Sequence, residues 1–240
     1  MRGSFLLIVA ALSAVQVSAA APEEQIISGD VRLALPVGTC TVPALVRRIA
    51  EDLKMPAGIE ALPGPCVGPR RVRDRVALTG MTLAEAMDKV IGEDPRYWWT
   101  FADGVLVVRP LEAWGEREHF LHRTLASFQI DDRNLDGIVA VVRNAITGGE
   151  SASLADRPLQ TDEGNRKLSV DMTGTSIYEA LNQVVRAHGA LVWQLSYCRA
   201  PGRQELSEIM FRTFDGSGLT TGVKVSPADP VYCRQQPPLF

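Results

Sequence analysis

The chain contains no C-x-x-C pair, no phosphate-binding P-loop, no G-x-G-x-x-G turn and no G-x-S-x-G elbow. Each absence removes a chemistry. Without closely spaced cysteines there is no structural zinc motif. Without the glycine-rich loops there is no backbone cradle for a nucleotide phosphate. Gly216-Ser217-Gly218 is the nearest approach to a nucleophile elbow, and Asp215-Gly216 before it reads as a turn. Histidine is scarce, with only three residues. His119 and His122 fall where a strand is expected, so they should project to opposite faces, a poor arrangement for one metal. His188 falls at a helix end. Asp131-Asp132 and Glu112/Glu116 read as solvated turn and linker charges rather than paired catalytic carboxylates. No catalytic, metal or cofactor-binding residue is assigned, and no cofactor is expected.

Long apolar runs are also missing. Residues 5–12 form an apolar stretch too short for the ~20 residues that span a bilayer. Arg2 precedes it and Ser18-Ala19-Ala20-Ala21 follows it, which is the pattern of a secretory signal peptide over 1–21. Removing it leaves 24 basic against 28 acidic residues, net −4, an ordinary balance that excludes general nucleic-acid binding. The mature protein is expected to have no membrane span and to be periplasmic or secreted. In that compartment the even count of cysteines, Cys40, Cys66, Cys198 and Cys233, reads as a disulfide framework. Three connectivities are possible. Cys40–Cys66 and Cys198–Cys233 are favoured because each lies within one proposed unit.

What is present is a repetition. Thr79-Gly80-Met81-Thr82-Leu83-Ala84-Glu85-Ala86-Met87 is echoed 94 residues later by Thr173-Gly174-Thr175-Ser176-Ile177-Tyr178-Glu179-Ala180-Leu181. Five of the thirteen positions in 79–91 are identical, and the same offset carries Trp99 onto Trp193. Thr82-x-x-Glu85 and Ser176-x-x-Glu179 are both capping boxes opening a helix. Before each box stands an alternating strand, at Val76 and Leu78 and at Leu168, Val170 and Met172. Earlier still, Val31, Leu33 and Leu35 alternate, as do Phe128 and Ile130. Helical stripes follow at Leu45, Ile49 and Leu53 and, 93 residues on, at Ile138, Val142 and Ile146. Pro43 suits a first helical turn and Asn134 an N-cap. The first helix is expected to stop at residues 55–58, followed by a Pro- and Gly-rich loop over 62–69. Asp103-Gly104 marks a hairpin between 97–101 and 105–109. Residues 191–197 and 209–214 read as a second hairpin, with a longer loop carrying Cys198. Gly189 suits a left-handed helix terminus.

The expected fold class is therefore α+β: two tandem small domains, each with two helices on short β-sheets in the order β-α-β-α-β-β. Their bounds are 28–111 and 119–225, with a linker at 112–118 and a Pro-rich tail at 226–240. Trp114 in the linker is placed to pack between the units.

Val76-Ala77-Leu78-Thr79-Gly80-Met81-Thr82-Leu83-Ala84-Glu85-Ala86-Met87, then Tyr97-Trp98-Trp99-Thr100-Phe101-Ala102-Asp103-Gly104-Val105-Leu106-Val107-Val108-Arg109-Pro110, resembles the secretin and TonB N-terminus short domain. That family's modules end with a strand, a "g-x-T-x-x-E-A-L" helix and a hairpin reading "x-V-I-x-P". The second unit resembles it more loosely over 168–214. The resemblance implies a periplasmic module that binds other proteins, in secretin vestibules or in receptors that signal to an inner-membrane partner, and that is not known for catalysis. The chain departs from those machines in having no barrel, plug or secretin segment, and in its cysteines. No functional residue of the family carries over by position.

Two features remain as candidate partner-binding residues. Arg70, Arg71, Arg73 and Arg75 alternate with other residues as in an edge strand protected by charge, or as a site for an anionic partner. Trp98 must face away from Trp99 in a strand. It lies under another element or, if exposed, anchors a protein or glycan contact. The function expected is a non-catalytic protein-interaction module of the bacterial cell envelope, within a secretion or TonB-type transport or signalling assembly. An envelope protein would dock by strand addition at 72–78 or at the 97–109 hairpin. The alternative is an exported hydrolase, or a glycan- or lipid-binding protein, with a cleft between the units. A hydrolase would need a histidine and a carboxylate within hydrogen-bond reach there.

Overall fold

The computed structural model describes residues 32–33, 41–62, 76–115, 119–147, 162–200 and 203–214. The signal segment, Cys40, Cys66, Cys233, the arginines at 70, 71, 73 and 75, and the tail lie outside them. The elements in chain order are β1 (Arg32–Leu33), α1 (Thr41–Leu53), β2 (Ala57–Ala61), β3 (Val76–Ala77), α2 (Leu83–Gly92), β4 (Tyr97–Ala102) and β5 (Val105–Pro110). Then follow α3 (Leu111–Gly115), a 3-10 turn at Phe120–His122, β6 (Thr124–Arg133), α4 (Leu135–Thr147), α5 (Asp162–Asn165), β7 (Leu168–Ser176), α6 (Ile177–His188), β8 (Leu191–Ala200) and β9 (Arg203–Thr213). The protein is α+β.

The local signals act as the chemistry requires. Both capping boxes form. The Thr82 and Ser176 hydroxyls accept from the Glu85 and Glu179 amides, and each glutamate accepts back from the cap amide. These bonds hold both carboxyls below the usual carboxylate range. The Asn134 carboxamide accepts from the Gly137 amide at the start of α4. Gly189 ends α6 at φ 75°, a left-handed conformation that costs glycine little. Asp103 and Gly104 both have positive φ, 51° and 81°, as a two-residue hairpin turn of the primed type demands.

Five strands join in one sheet in the order β4-β5-β2-β8-β9. β2 runs parallel to both β5 and β8, while β4 and β9 are antiparallel to their neighbours. Two further ladders, β1–β3 and β6–β7, are antiparallel pairs. One apolar cluster gathers α1 and α2 with Ile59, Leu106, Val108 and Val192. The other gathers α4, α6, β6 and β7 with Val107, Trp193, Leu195 and Phe211. Alternation along the strands puts these clusters on opposite faces of the sheet.

The strand β2 is the main departure from the sequence reading, which ends α1 at these residues and leads into a loop. Its residues are buried throughout, on both faces, as in a parallel strand between two others. Five residues of Ala-Gly-Ile-Glu-Ala carry neither alternation nor the β-branched run that would announce a strand. The second hairpin also differs. Its strands run on through Ala200, so Cys198 stands within β8 opposite Glu205 rather than in a loop. Residues 112–115 of the linker expected at 112–118 instead form, with Leu111, the short helix α3.

The two runs of elements match beyond the motif. In the two-stranded ladders Leu33 pairs with Val76 and Ile130 with Val170, where Val76 and Val170 are 94 apart. Trp99 donates its indole N–H to Asp88 at 2.9 Å, and Trp193 donates to Asn182 at 2.9 Å. Both tryptophans and both acceptors are related by the offset of 94. β4 and β8 run in opposite directions, and their helices lie on opposite faces. The two runs are thus related by a half-turn about an axis in the sheet and across its strands, combined with a shift along it.

Candidate functional site

Among the described residues, the seam around β2 holds a buried charged cluster and the outer edge of β4 carries exposed apolar side chains.

At the seam, the register Ile59↔Val108 brings Glu60 of β2 beside Arg109 of β5. Both are 1% exposed. Glu60 Oε2 accepts from Arg109 Nε at 2.6 Å, and Glu60 Oε1 lies 3.0 Å from His119 Nε2. Arg109 also reaches His122 Nε2 at 3.1 Å, His119 Nδ1 at 3.3 Å and the Ala113 carbonyl at 3.3 Å. Its guanidinium sits 5.3 Å from the centre of the Tyr178 ring on α6. An arginine can only donate, so the histidine nitrogens facing it accept. His119 therefore carries its proton on Nε2, toward Glu60, while Nδ1 accepts from Arg109 and from the Leu121 amide at 3.3 Å. The sequence reading placed these histidines on opposite faces of a strand. The 3-10 turn instead brings their ring centres to 5.8 Å, both against Arg109. Nothing in the spacing shows this, because the partners lie 49 to 62 residues away from Glu60 along the chain. Arg109 and His119 compensate the buried Glu60; a buried carboxylate left alone costs several kcal/mol.

This cluster fastens the first run of elements to the second. Glu60 and Arg109 come from one, Tyr178 from the other. It also supplies the histidine–carboxylate pair that a hydrolase would need. The geometry does not suit a proton relay, however. A general-base histidine offers one nitrogen to the carboxylate and the other to a nucleophile. Here the second nitrogen is taken by a backbone amide and a guanidinium.

The edge is different in character. β4 has β5 on one side and no second partner strand among the described residues. Trp98 is 55% exposed and Leu111 50%, the two large exposed hydrophobic side chains among the described residues. Trp98 pairs across with Arg109, and the Leu111 amide bonds the Arg96 carbonyl at 2.8 Å. Trp98 and Leu111 are therefore diagonal neighbours on one face. The edge carries no charge and no proline over 97–102, the usual protections of an open strand. Of the two readings of Trp98, the exposed one holds. Trp99 faces the other way, half-buried against the α1–α2 cluster. Tyr97 is buried, and its hydroxyl accepts from the Leu62 amide just past β2 at 2.9 Å. Burial raises its phenol to about 12. The indole acceptors Asp88 and Asn182 are not marked by any motif in the sequence. Their signal is that both can accept from an indole, at positions that align under the tryptophan offset.

No helix of the described residues is long and apolar enough to cross a membrane. No family model, curated protein or solved structure matches the chain.

Proposed function

We propose that this chain is a non-catalytic protein-interaction module of the bacterial cell envelope, acting after export in the periplasm or outside the cell. In this reading 28–111 and 119–225 are tandem copies of a unit similar to the secretin and TonB N-terminus short domain, and an envelope protein docks by adding a strand. The observation that carries it is the outer edge of β4, which has no second partner strand among the described residues and has Trp98 exposed on it. Backbone groups along a neutral edge supply affinity when a strand is added, and an aromatic anchor beside them supplies a contact that excludes water. The repeated caps, ladders and tryptophan bonds support duplication.

The test is photo-crosslinking from position 98 in the native envelope, followed by identification of what is captured. Trp98→Ala together with Arg71→Glu is expected to cut capture at least ~10-fold, a hot-spot loss, without changing the unfolding transition. Unchanged capture rejects the surface. The hydrolase reading has one point in its favour, the His119–Glu60 pair. It requires that His119→Gln abolish a measurable hydrolytic activity while the fold persists.

A further inference from the structure

We propose that the outer edge of β4 takes an extended segment of a partner protein as a parallel strand, with a glycine facing Trp99, in the way that β8 takes β2. This rests on the docking reading above and specifies what the edge accepts.

The molecule contains its own template. β8 receives β2 in parallel, in the register Ala57↔Val192, Gly58↔Trp193, Ile59↔Gln194, Glu60↔Leu195 and Ala61↔Ser196. Moving 192–196 back by 94 gives Trp98, Trp99, Thr100, Phe101 and Ala102, which is β4. The lane beside β8 is filled by β2; the matching lane beside β4 holds no strand among the described residues. In both cases the opposite side of the strand is already paired with the other strand of its hairpin, β9 for β8 and β5 for β4. The inner and outer edges are therefore equivalent sites, one occupied and the other without a strand among the described residues.

The requirement for glycine follows from the tryptophan. Trp193 is tethered to α6 by its bond to Asn182, and its ring lies across the neighbouring strand. A Cβ on Gly58 would fall 2.2 Å from Trp193 Cε2 and Cζ2 and 2.6 Å from Nε1, closer than any real contact. The ring cannot retreat, because it is fully buried among α4, α6 and the sheet. Trp99 has the same tether, to Asp88 on α2, at the same eleven-residue separation. Its ring is half-buried, with no strand laid over it among the described residues. A segment laid beside β4 meets that ring where β2 meets Trp193. Any side chain there collides; glycine passes. The next residue toward the segment's N-terminus faces the other side, beside exposed Trp98, and the template places a small alanine at that position. The occupant is thus a segment reading small residue, glycine, β-branched residue. It cannot be β2 of a second copy, because that strand is enclosed between β5 and β8.

The probe is a synthetic peptide with the sequence of residues 56–62, spin-labelled at its N-terminus, and a second peptide in which alanine replaces the glycine. Binding is read from amide signals of the full chain. The glycine peptide is expected to perturb β4, with paramagnetic broadening strongest near Trp98 and weak near Ala102, as a parallel strand demands. The alanine peptide is expected to bind at least ~10-fold more weakly, the scale of a built-in clash against the wrong ligand. Trp99→Ala is expected to erase that difference, and because the peptide swap is made on the unaltered protein, the result does not hinge on how well this variant folds. Equal binding of both peptides, or broadening at Ala102 instead, overturns the inference while leaving edge docking intact. No contact with β4 at ~1 mM, the weak limit of useful recognition, overturns it as well. The docking reading is judged separately, by the crosslinks from position 98. A captured partner whose contacting segment has no glycine sustains that reading and sinks this one.

Discussion

Tyr97 shows how much one side chain can bind together. It stands on β4, is buried, and accepts a hydrogen bond from the Leu62 amide, 35 residues earlier. Burial disfavours its phenolate, which raises the group from about 10 to about 12. A folded value above the unfolded one contributes stability that is whole below the unfolded value and is lost as pH rises through the folded one. Stability should therefore fall between pH ~10 and ~12, by about 2–3 kcal/mol in all. Tyr97→Phe should flatten that alkaline decline in denaturant titrations. At neutral pH it should cost about 1–3 kcal/mol, because the Leu62 amide loses its partner in a buried place. An unchanged alkaline slope would mean that other groups carry it. The same logic of enclosure governs Glu60, whose burial Arg109 and His119 compensate.

The elements repeat their terminal chemistry more faithfully than their sequence. α2 and α6 share a capping box, a strand before it and a tethered tryptophan after it, though only five of thirteen residues agree. Thr82→Ala and Ser176→Ala should each lower stability by about 1 kcal/mol, as loss of an N-cap does. Since both boxes hold their glutamates below the usual carboxylate range, each contributes above that range and fades as pH drops through the folded value. The two variants should accordingly lose less stability than the parent between neutral pH and pH ~3, read by thermal melts across that window. If one variant is silent at neutral pH and the other is not, the two helices are not equivalent. These signals were legible because caps, turns and stripes are local: a hydroxyl meets an amide three residues on, and the spacing is written in the chain. His119 and His122 show the limit. Their separation fits a strand as well as a 3-10 turn, and only the guanidinium of Arg109 distinguishes the two.

At the scale of the molecule, the central fact is that β2 lies between the two hairpins and makes one sheet of them. Gly58 is the pivot, because Trp193 lies over it with no room for a side chain. Gly58→Ala should cost more than ~3 kcal/mol, the upper range of overpacking, since neither a buried ring nor a central strand can step aside. Calorimetry should then show either a greatly lowered transition or two transitions where the hairpins part. A variant as stable as the parent would mean that β2 does not hold β8. The strand was invisible beforehand for a physical reason. A strand buried on both faces needs no alternation, and one overlaid by tryptophan needs small residues, so its sequence resembles a turn.

The chain by itself determined where helices begin, where hairpins turn and that one pattern occurs twice, since these depend on contacts within a few residues or on periodicity. Only the tertiary structure decided that β2 joins the two patterns into one sheet, that Trp98 is left exposed while Trp193 is covered, and that a histidine, a glutamate and an arginine meet at the seam. Those outcomes depend on which surfaces are buried against which, and burial is a property of the packed whole.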